Sequence, residues 1–410
     1  MKKSYLVLLL ALKFFVFQAI AQSGAKVLPE SAGMSSDRLA RYSDYLQQEV
    51  KEEKLAGAVS LIARNGQIVQ QASFGYQDLK SSSKMKDNSI FFIQSMTKPI
   101  ISVGIMMLYE EGHFFLSDPV SQYLPQFANM KVAKDVKEGA NGEIEPMEGQ
   151  ISIAQLLSHT AGFSHGLGNN PLESDIRKAL YFKQHTTIED RVNALASMPL
   201  IGHPGKQWYY SASPDVLSLL IEHFSGMTTR EFLQQRIFDP LGMKDTGYNL
   251  NSEQENRRAY VHQVNQDGKL VKARLQSPMT GNTVYGGTHG LFSTAEDYLK
   301  FCQMLLNGGK YKGHQLLSRT TIDLMASNHA GDLRPTPGHG FGLGFGVKTD
   351  LAESRAAGSV GQYYWSGYNN TYFFIDPSEK LIAILMTQSA PYTNFYSNKL
   401  RQFVYQAIVD

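Results

Sequence analysis

Strand-type sequence occurs at both ends of this chain of 410 residues, and helix-type sequence fills the middle. Near the N-terminus, β-type runs at 58–64 and 67–74 are joined by Asn65-Gly66, the strongest short signal for a β-hairpin. Towards the C-terminus, a closing helix is predicted from about Phe395, after four further predicted strands at 345–348, 355–363, 370–375 and 381–388. This arrangement predicts an α/β fold of the α+β type, in which an antiparallel sheet built from both chain ends is flanked by helices.

The region between the two sets of strands is mainly helical by its apolar spacing. One helix is predicted before it, at 36–53, and the helices within it are predicted at 100–111, 153–158, 188–197, 215–226, 229–238 and 295–307. We therefore predict one domain at 22–410, whose α/β part comprises about 22–94 and 308–410 and whose inserted helical region comprises about 95–307.

Residues 1–21 have the features of a secretory signal peptide. Lys2-Lys3 forms a positive start, 5–20 is largely apolar, and Ala19-Ile20-Ala21 offers the small residues of a cleavage site. The apolar stretch is shorter than the roughly 20 residues that a membrane-spanning helix needs. We therefore predict that this segment is removed, that the mature protein has no stable membrane span, and that it is periplasmic or secreted.

The charge balance and the histidine spacing argue against two classes of function. The chain has 39 basic and 37 acidic side chains, so no positive surface for a nucleic-acid partner is expected. None of the 11 histidines falls in His-x-His or His-Glu-x-x-His spacing, so no metal site is expected. We predict that the protein needs no cofactor.

One segment combines a strand-to-helix transition with two reactive side chains. The apolar β-like run from Phe91 ends at Ser95, where a helical pattern begins, and free N–H groups at a helix N-terminus favour negative charge. Lys98 lies three residues on and on the same helix face, so its amine can reach the Ser95 hydroxyl. A lysine pKa is ordinarily about 10.4, so this amine needs burial or a cationic neighbour to act as a base. The same spacing recurs at Ser81 and Lys84, but in a polar stretch that we predict to be a loop.

A tyrosine precedes the helix predicted at 215–226. A turn and a short aromatic run place Tyr210 just before this helix, where its hydroxyl can face a cleft. If Lys98 stays protonated, it favours the phenolate of a nearby tyrosine, whose pKa is ordinarily about 10, and that phenolate would then be the general base. The sequence therefore leaves Lys98 and Tyr210 as alternative bases.

Two other side chains are candidate nucleophiles. Ser164, within Gly162-Phe-Ser-His-Gly166, fits the elbow motif of α/β-hydrolases, which needs a buried strand before the serine and a helix after it. A helical segment precedes this serine and turn residues follow it, so we expect no elbow. Cys302, the only cysteine, lies in a helical pattern where a small buried side chain is expected.

Several collinear stretches carry a family resemblance. They are Phe92-Ile-Gln-Ser95-Met-Thr-Lys98, 116–125, 153–162, Tyr210-Ser-Ala, 238–243 and 286–297. Together they resemble the serine β-lactamase and penicillin-binding-protein-like hydrolases, especially the branch with class C β-lactamases, D,D-peptidases and family VIII carboxylesterases. The resemblance extends from about Leu28 to the C-terminus and implies a β-lactamase/transpeptidase-like fold.

The resemblance also implies roles for individual residues. Ser95 is similar to the acylated nucleophile of the family, Lys98 to its activating partner, and Tyr210 to the tyrosine of the Tyr-x-Asn motif that shuttles the proton. These three correspondences imply an acyl-enzyme mechanism.

The third family motif, Lys-Thr-Gly or His-x-Gly, is matched in place by Trp365-Ser366-Gly367. The resemblance implies that this motif lines the substrate site. It also implies an oxyanion hole made by the backbone N–H groups of Ser95 and Tyr368.

Two positions depart from the pattern of the family's β-lactamases. Ala212 stands where an asparagine would bind an acylamide side chain, and Trp365 stands where a cation would attract the substrate carboxylate. Both positions are still expected at the substrate site, where an indole wall suits small neutral esters or amides. We therefore predict an esterase-like secreted serine hydrolase. The alternatives are a class C-type β-lactamase or D-amino-acid peptidase, and a catalytically inactive penicillin-binding-like binding protein.

Overall fold

The computed structural model describes residues 26–410, so the predicted signal peptide at 1–21 lies outside the described residues. Its main feature is an eight-stranded sheet in which all neighbouring strands are antiparallel. In spatial order the strands are His339–Phe341, Gly346–Lys348, Tyr363–Ser366, Tyr372–Asp376, Leu381–Thr387, Gly57–Arg64, Gln67–Asp78 and Ser83–Lys84. The prediction of an antiparallel sheet from both chain ends is confirmed.

The two halves of the sheet join where Gly57–Arg64 pairs with Leu381–Thr387. Every residue of both strands is buried, because helices cover both faces of the sheet. The N-terminal and C-terminal helices pack on one face through Leu39, Tyr42 and Leu400, among other apolar side chains. The apolar side chains of the remaining helices form the larger core on the other face.

Helices dominate the sequence between the two halves of the sheet. The α-helices of the described chain are Ser36–Lys51, Thr97–Glu110, Ile153–Ser158, Pro171–Arg177, Ile188–Ala196, Ser213–Ser225, Thr229–Leu233, Asp239–Leu241, Ser252–Glu255, Ala295–Leu306, Arg319–Met325, Leu351–Ser354 and Phe395–Tyr405. Short strand pairs accompany them at Lys131–Ala133 with Ile144–Pro146, His262–Val264 with Leu270–Lys272, Phe91–Phe92 with Phe292–Ser293, and Lys310–Tyr311 with His314–Gln315. None of the helices within 26–410 is both long enough and apolar enough to cross a membrane.

Two local predictions are wrong. The segment 355–363 is not a strand: the helix Leu351–Ser354 is followed by turns, and the strand begins only at Tyr363. Gly358 and Gly361 take φ values of 139° and 88°, which are incompatible with a regular strand. At the other edge of the sheet, the predicted loop at 81–84 contains a two-residue strand, Ser83–Lys84, whose side chains are exposed.

The helix Thr97–Glu110 is the central helix of the molecule. All its residues from Thr97 to Leu108 are buried, as expected for a helix that is apolar on nearly every side. Gly104 allows a close approach to Ile221 of the helix Ser213–Ser225, because a Cβ there would lie 3.2 Å from the Ile221 side chain. The middle of this central helix is therefore packed tightly against the helix Ser213–Ser225.

Candidate active site

Ser95 and Lys98 meet at the start of the central helix. The strand Phe91–Phe92 leads into a 3₁₀ turn, Gln94–Met96, and the α-helix follows directly from Thr97. The Lys98 Nζ lies 3.1 Å from the Ser95 Oγ and donates a hydrogen bond of 2.7 Å to the carbonyl oxygen of Thr288. Gln94, directly before the serine, has a backbone φ of 49°, a conformation that residues other than glycine rarely adopt.

Burial determines the protonation state of Lys98. Its side chain is completely enclosed, and this loss of hydration lowers its pKa well below the ordinary value of 10.5. Asp215 opposes the shift and Arg191 adds to it, but burial is the largest cause. The lowered pKa favours the uncharged amine, whose free electron pair can accept the proton of Ser95.

A buried ion pair holds the peptide that contacts Lys98. The Asp215 carboxylate accepts a hydrogen bond of 2.9 Å from Arg191 and one of 2.8 Å from the Thr288 backbone N–H. Because the Thr288 carbonyl in turn binds Lys98, this pair fixes the position of the amine. Three residues of this network, Arg191, Asp215 and Thr288, were not among the site residues predicted from the sequence, although Asp215 lies in the run that carries Tyr210.

Tyr210 lies beside Ser95 and Lys98, in the loop before the helix Ser213–Ser225. The Lys98 Nζ is 4.6 Å from the centre of its ring. Burial raises the pKa of the Tyr210 hydroxyl, while the nearby Ser95 and Trp365 groups act in the opposite direction. The Tyr210 hydroxyl and the Trp365 Nε1 are nevertheless buried without an aligned hydrogen bond, so the hydroxyl lies near Ser95 and Trp365 without bonding to either. The phenol remains protonated near neutral pH, which favours Lys98 over Tyr210 as the base.

Aromatic side chains surround the Tyr210 ring. The Trp208 ring stacks on it at 6.4 Å between ring centres, and the Trp365 ring lies 5.3 Å away. His159 and His165 lie at 5.0 and 5.5 Å, and burial lowers the pKa of both imidazoles, so both are neutral. Trp208 was not predicted as a site residue, although the chain has only two tryptophans and both are here.

The Trp365-Ser366-Gly367 motif lines the same cavity as Ser95. Its first two residues end the strand Tyr363–Ser366, and the Ser366 Oγ lies 3.0 Å from the Tyr392 hydroxyl. Gly367 packs directly on the carbonyl of Ile93, so closely that any Cβ would overlap it. This close contact places the turn that begins at Tyr368 next to the segment that carries Ser95.

The cavity has a volume of about 2100 Å³ and is open to solvent at one side. Its wall includes Ser95, Tyr210, Trp365 and Tyr368, whose backbone N–H donates no hydrogen bond to any described residue. Ala212 was predicted to lie at the substrate site. It is instead fully buried and is not part of this wall, so its methyl group does not face the cavity.

The rival nucleophiles lie elsewhere. Ser164 is buried and donates a hydrogen bond to Glu173, and no strand precedes it, so it does not form an elbow. Cys302 is buried in the helix Ala295–Leu306, and burial raises the pKa of its thiol, so it is a core residue. Within 26–410, no group of three or more His, Cys, Asp or Glu side chains is arranged to hold a metal ion.

An antiparallel sheet flanked by helices, with a serine and a buried lysine at the start of the central helix, defines a serine hydrolase of the β-lactamase/transpeptidase-like fold. Comparisons with known proteins agree. The family model described as beta-lactamase matches residues 43–405. The chain therefore belongs to the β-lactamase family.

Three relatives illustrate the range of this family. An uncharacterized protein of Mycobacterium tuberculosis is 30% identical over 350 residues, covering 82% of this chain and 86% of that protein. Esterase EstB of Burkholderia gladioli is 26% identical, over 86% of this chain and 90% of its own. The solved structure of EstCE1, described as a hydrolase with promiscuous acyltransferase activity, is 26% identical with a TM-score of 0.78, covering 90% of this chain and 99% of EstCE1. Within this family the chain is an enzyme of the serine hydrolase class, as predicted.

Proposed function

We propose that this enzyme hydrolyses small carboxylic esters through an acyl-enzyme formed on Ser95. The observation that carries the proposal is the distance of 3.1 Å between the Ser95 Oγ and the buried Lys98 Nζ. A hydroxyl beside an amine whose pKa is lowered by burial is the arrangement that an activated serine nucleophile requires.

The proposed reaction has two steps. The Ser95 Oγ attacks the ester carbonyl carbon while its proton passes to the Lys98 Nζ, and the N–H groups of Ser95 and Tyr368 bind the oxygen that becomes negative. The bond to the alcohol then breaks, the Tyr210 hydroxyl protonates the leaving oxygen, and Lys98 returns a proton to Tyr210. Water repeats the sequence on the acyl group, so one ester and one water give one acid and one alcohol.

Esters suit the walls of the site better than β-lactams or D-amino-acid peptides do. Trp365 replaces the cation of the third motif, and Trp208 also packs against Tyr210, so the wall directly beside the nucleophile is mainly aromatic. Ala212 cannot bind an acylamide group, because it has no polar side chain and no access to the cavity. The esterase name of the EstB relative supports the same choice. An inactive binding protein would not require Lys98 to be buried beside Ser95.

The test is active-site labelling with a fluorophosphonate, followed by peptide mapping and by rates on 4-nitrophenyl butyrate. We expect the label on Ser95, and we expect Ser95→Ala to lose at least about 10⁴-fold of the rate. Ser164→Ala is the matched control, since Ser164 is a serine that does not line the cavity, and this variant should keep the label on Ser95 and most of its rate. An adduct on Ser164, or a Ser95→Ala enzyme that keeps most of its rate, would refute the assignment.

We also propose that the protein is exported. The support is the sequence of residues 1–21, with Lys2-Lys3 before an apolar stretch and alanines at 19 and 21. N-terminal sequencing of the protein from a periplasmic or culture fraction should begin at Gln22. A mature chain that begins at Met1 in the cytoplasm would exclude export by this route.

A further inference from the structure

Arg334 and Arg401, two arginines of the cavity wall, are held by aromatic rings rather than by acids, and Arg334 is the one that contacts both tryptophans. Arg334 follows the 3₁₀ helix Gly331–Leu333 and lines the same cavity as Ser95. Four rings surround its guanidinium carbon, at centroid distances of 5.3 Å for Trp208, 5.6 Å for Phe341, 6.0 Å for Tyr364 and 6.0 Å for Trp365. Two of these rings, Trp208 and Trp365, also contact Tyr210, so only one layer of indole separates the Arg334 charge from Tyr210.

No carboxylate among residues 26–410 forms an ion pair with Arg334. Its Nη1 donates to the Gly340 carbonyl and its Nη2 to the Tyr364 hydroxyl at 3.4 Å, while its Nε is buried without a hydrogen bond. Glu353, which also lines the cavity, instead accepts a hydrogen bond from the Gly338 N–H. Within 26–410, the arginines that do form ion pairs with carboxylates are Arg64, Arg191, Arg236, Arg257 and Arg319.

This combination is suited to binding a carboxylate. Stacking on aromatic faces fixes the plane of a guanidinium and removes part of its water, while the unused N–H groups at its edge stay available for an anion. A guanidinium has five N–H donors, and the protein uses only two of them here. An unpaired charge that is partly withdrawn from water gains more from an incoming carboxylate than an exposed arginine does.

We propose that Arg334 binds a carboxylate carried by the substrate. The enzyme would then prefer half-esters of dicarboxylic acids. In these substrates the ester at one end would reach Ser95 while the free carboxylate at the other end would reach Arg334, with the indole rings between the two ends. This inference names the substrate class of the same site, and it rests on the proposed esterase function.

The first test compares two substrates of equal length, mono-4-nitrophenyl adipate and its neutral methyl-capped ester. The wild-type enzyme should have the higher kcat/KM for the carboxylate form. Arg334→Met keeps an unbranched apolar side chain against the rings, and it should lower the ratio of the two kcat/KM values by about 10- to 100-fold. Arg355→Met is the matched control, because Arg355 lies at the exposed outer rim of the same cavity, and it should keep the wild-type ratio.

The second test does not depend on turnover. Trp208 and Trp365 are the only tryptophans and both lie beside Arg334, so tryptophan fluorescence of the Ser95→Ala variant should respond to added adipate. The response should be lost when Arg334→Met is added to that variant, and adipamide should produce none.

The two proposals can fail separately. If no ester is hydrolysed by the wild-type enzyme, the proposed function fails, and the fluorescence titration still decides whether Arg334 binds carboxylates. The inference is overturned if Arg334→Met lowers both rates equally, which would indicate a structural role. It is also overturned if Arg355→Met changes the ratio as much, which would indicate non-specific electrostatic attraction by positive charge in the cavity. Equal binding of adipate in the absence of Arg334 would overturn it as well.

Discussion

The change Gly367→Ala tests the position of the oxyanion hole directly. A Cβ at residue 367 would overlap two atoms, the Ile93 carbonyl oxygen and the Thr371 Oγ1. Ile93 is fixed backbone just before Ser95, and ordinary van der Waals contact of a Cβ begins only at 3.4 Å. The turn that carries the Tyr368 N–H must therefore move away by on the order of 1 Å, which can cost about 100-fold in rate. Loss of one oxyanion donor costs about 10²–10³-fold in kcat, or about 2.7–4 kcal/mol.

We therefore expect Gly367→Ala to lower kcat on 4-nitrophenyl butyrate by about 100-fold, with a smaller effect on KM, because the lost contact forms mainly in the transition state. Gly247→Ala is the matched control, since the nearest atom to its Cβ lies at 3.7 Å and its backbone needs no positive φ. Thermal unfolding of both variants would show whether the fold is intact. A well-folded Gly367→Ala enzyme with nearly wild-type kcat would refute this placement of the oxyanion hole.

Three further predictions concern the buried charges. Because burial lowers the pKa of Lys98, a pH–rate profile should show kcat/KM rising with pH and levelling off well below pH 10.5. A rate that still rises at pH 10.5 would contradict this prediction. Burying Lys98 costs stability at every pH below its unfolded pKa, because the unfolded chain binds this proton more tightly than the folded protein does. Lys98→Met should therefore abolish activity yet increase the free energy of unfolding by about 1–2 kcal/mol, measured by urea denaturation at neutral pH. Asp215→Asn leaves the buried Arg191 charge unpaired and should destabilise the fold by about 3–5 kcal/mol. Asp323→Asn, in an exposed pair, should cost less than about 1 kcal/mol, and equal losses in the two variants would contradict the reasoning.

The sequence predicted the features that depend on local pattern. The hairpin at Asn65-Gly66, the antiparallel sheet from both chain ends and the closing helix from Phe395 are all present, because turn preferences and apolar spacing act over a few residues. The same local geometry brings the Lys98 amine to the Ser95 hydroxyl, since residues three apart share one face of a helix. The strand predicted at 355–363 is absent, because glycines with positive φ turn the chain there.

Only the tertiary structure decided the chemistry of the site. The contact between Lys98 and the Thr288 carbonyl joins residues 190 positions apart, and no local pattern encodes such a contact. The choice between Lys98 and Tyr210 as base also depended on the fold, because burial moves the two pKa values in opposite directions. Residue order determines which side chains can become neighbours within a helix or hairpin, whereas hydration and charge at a site depend on every segment that packs around it.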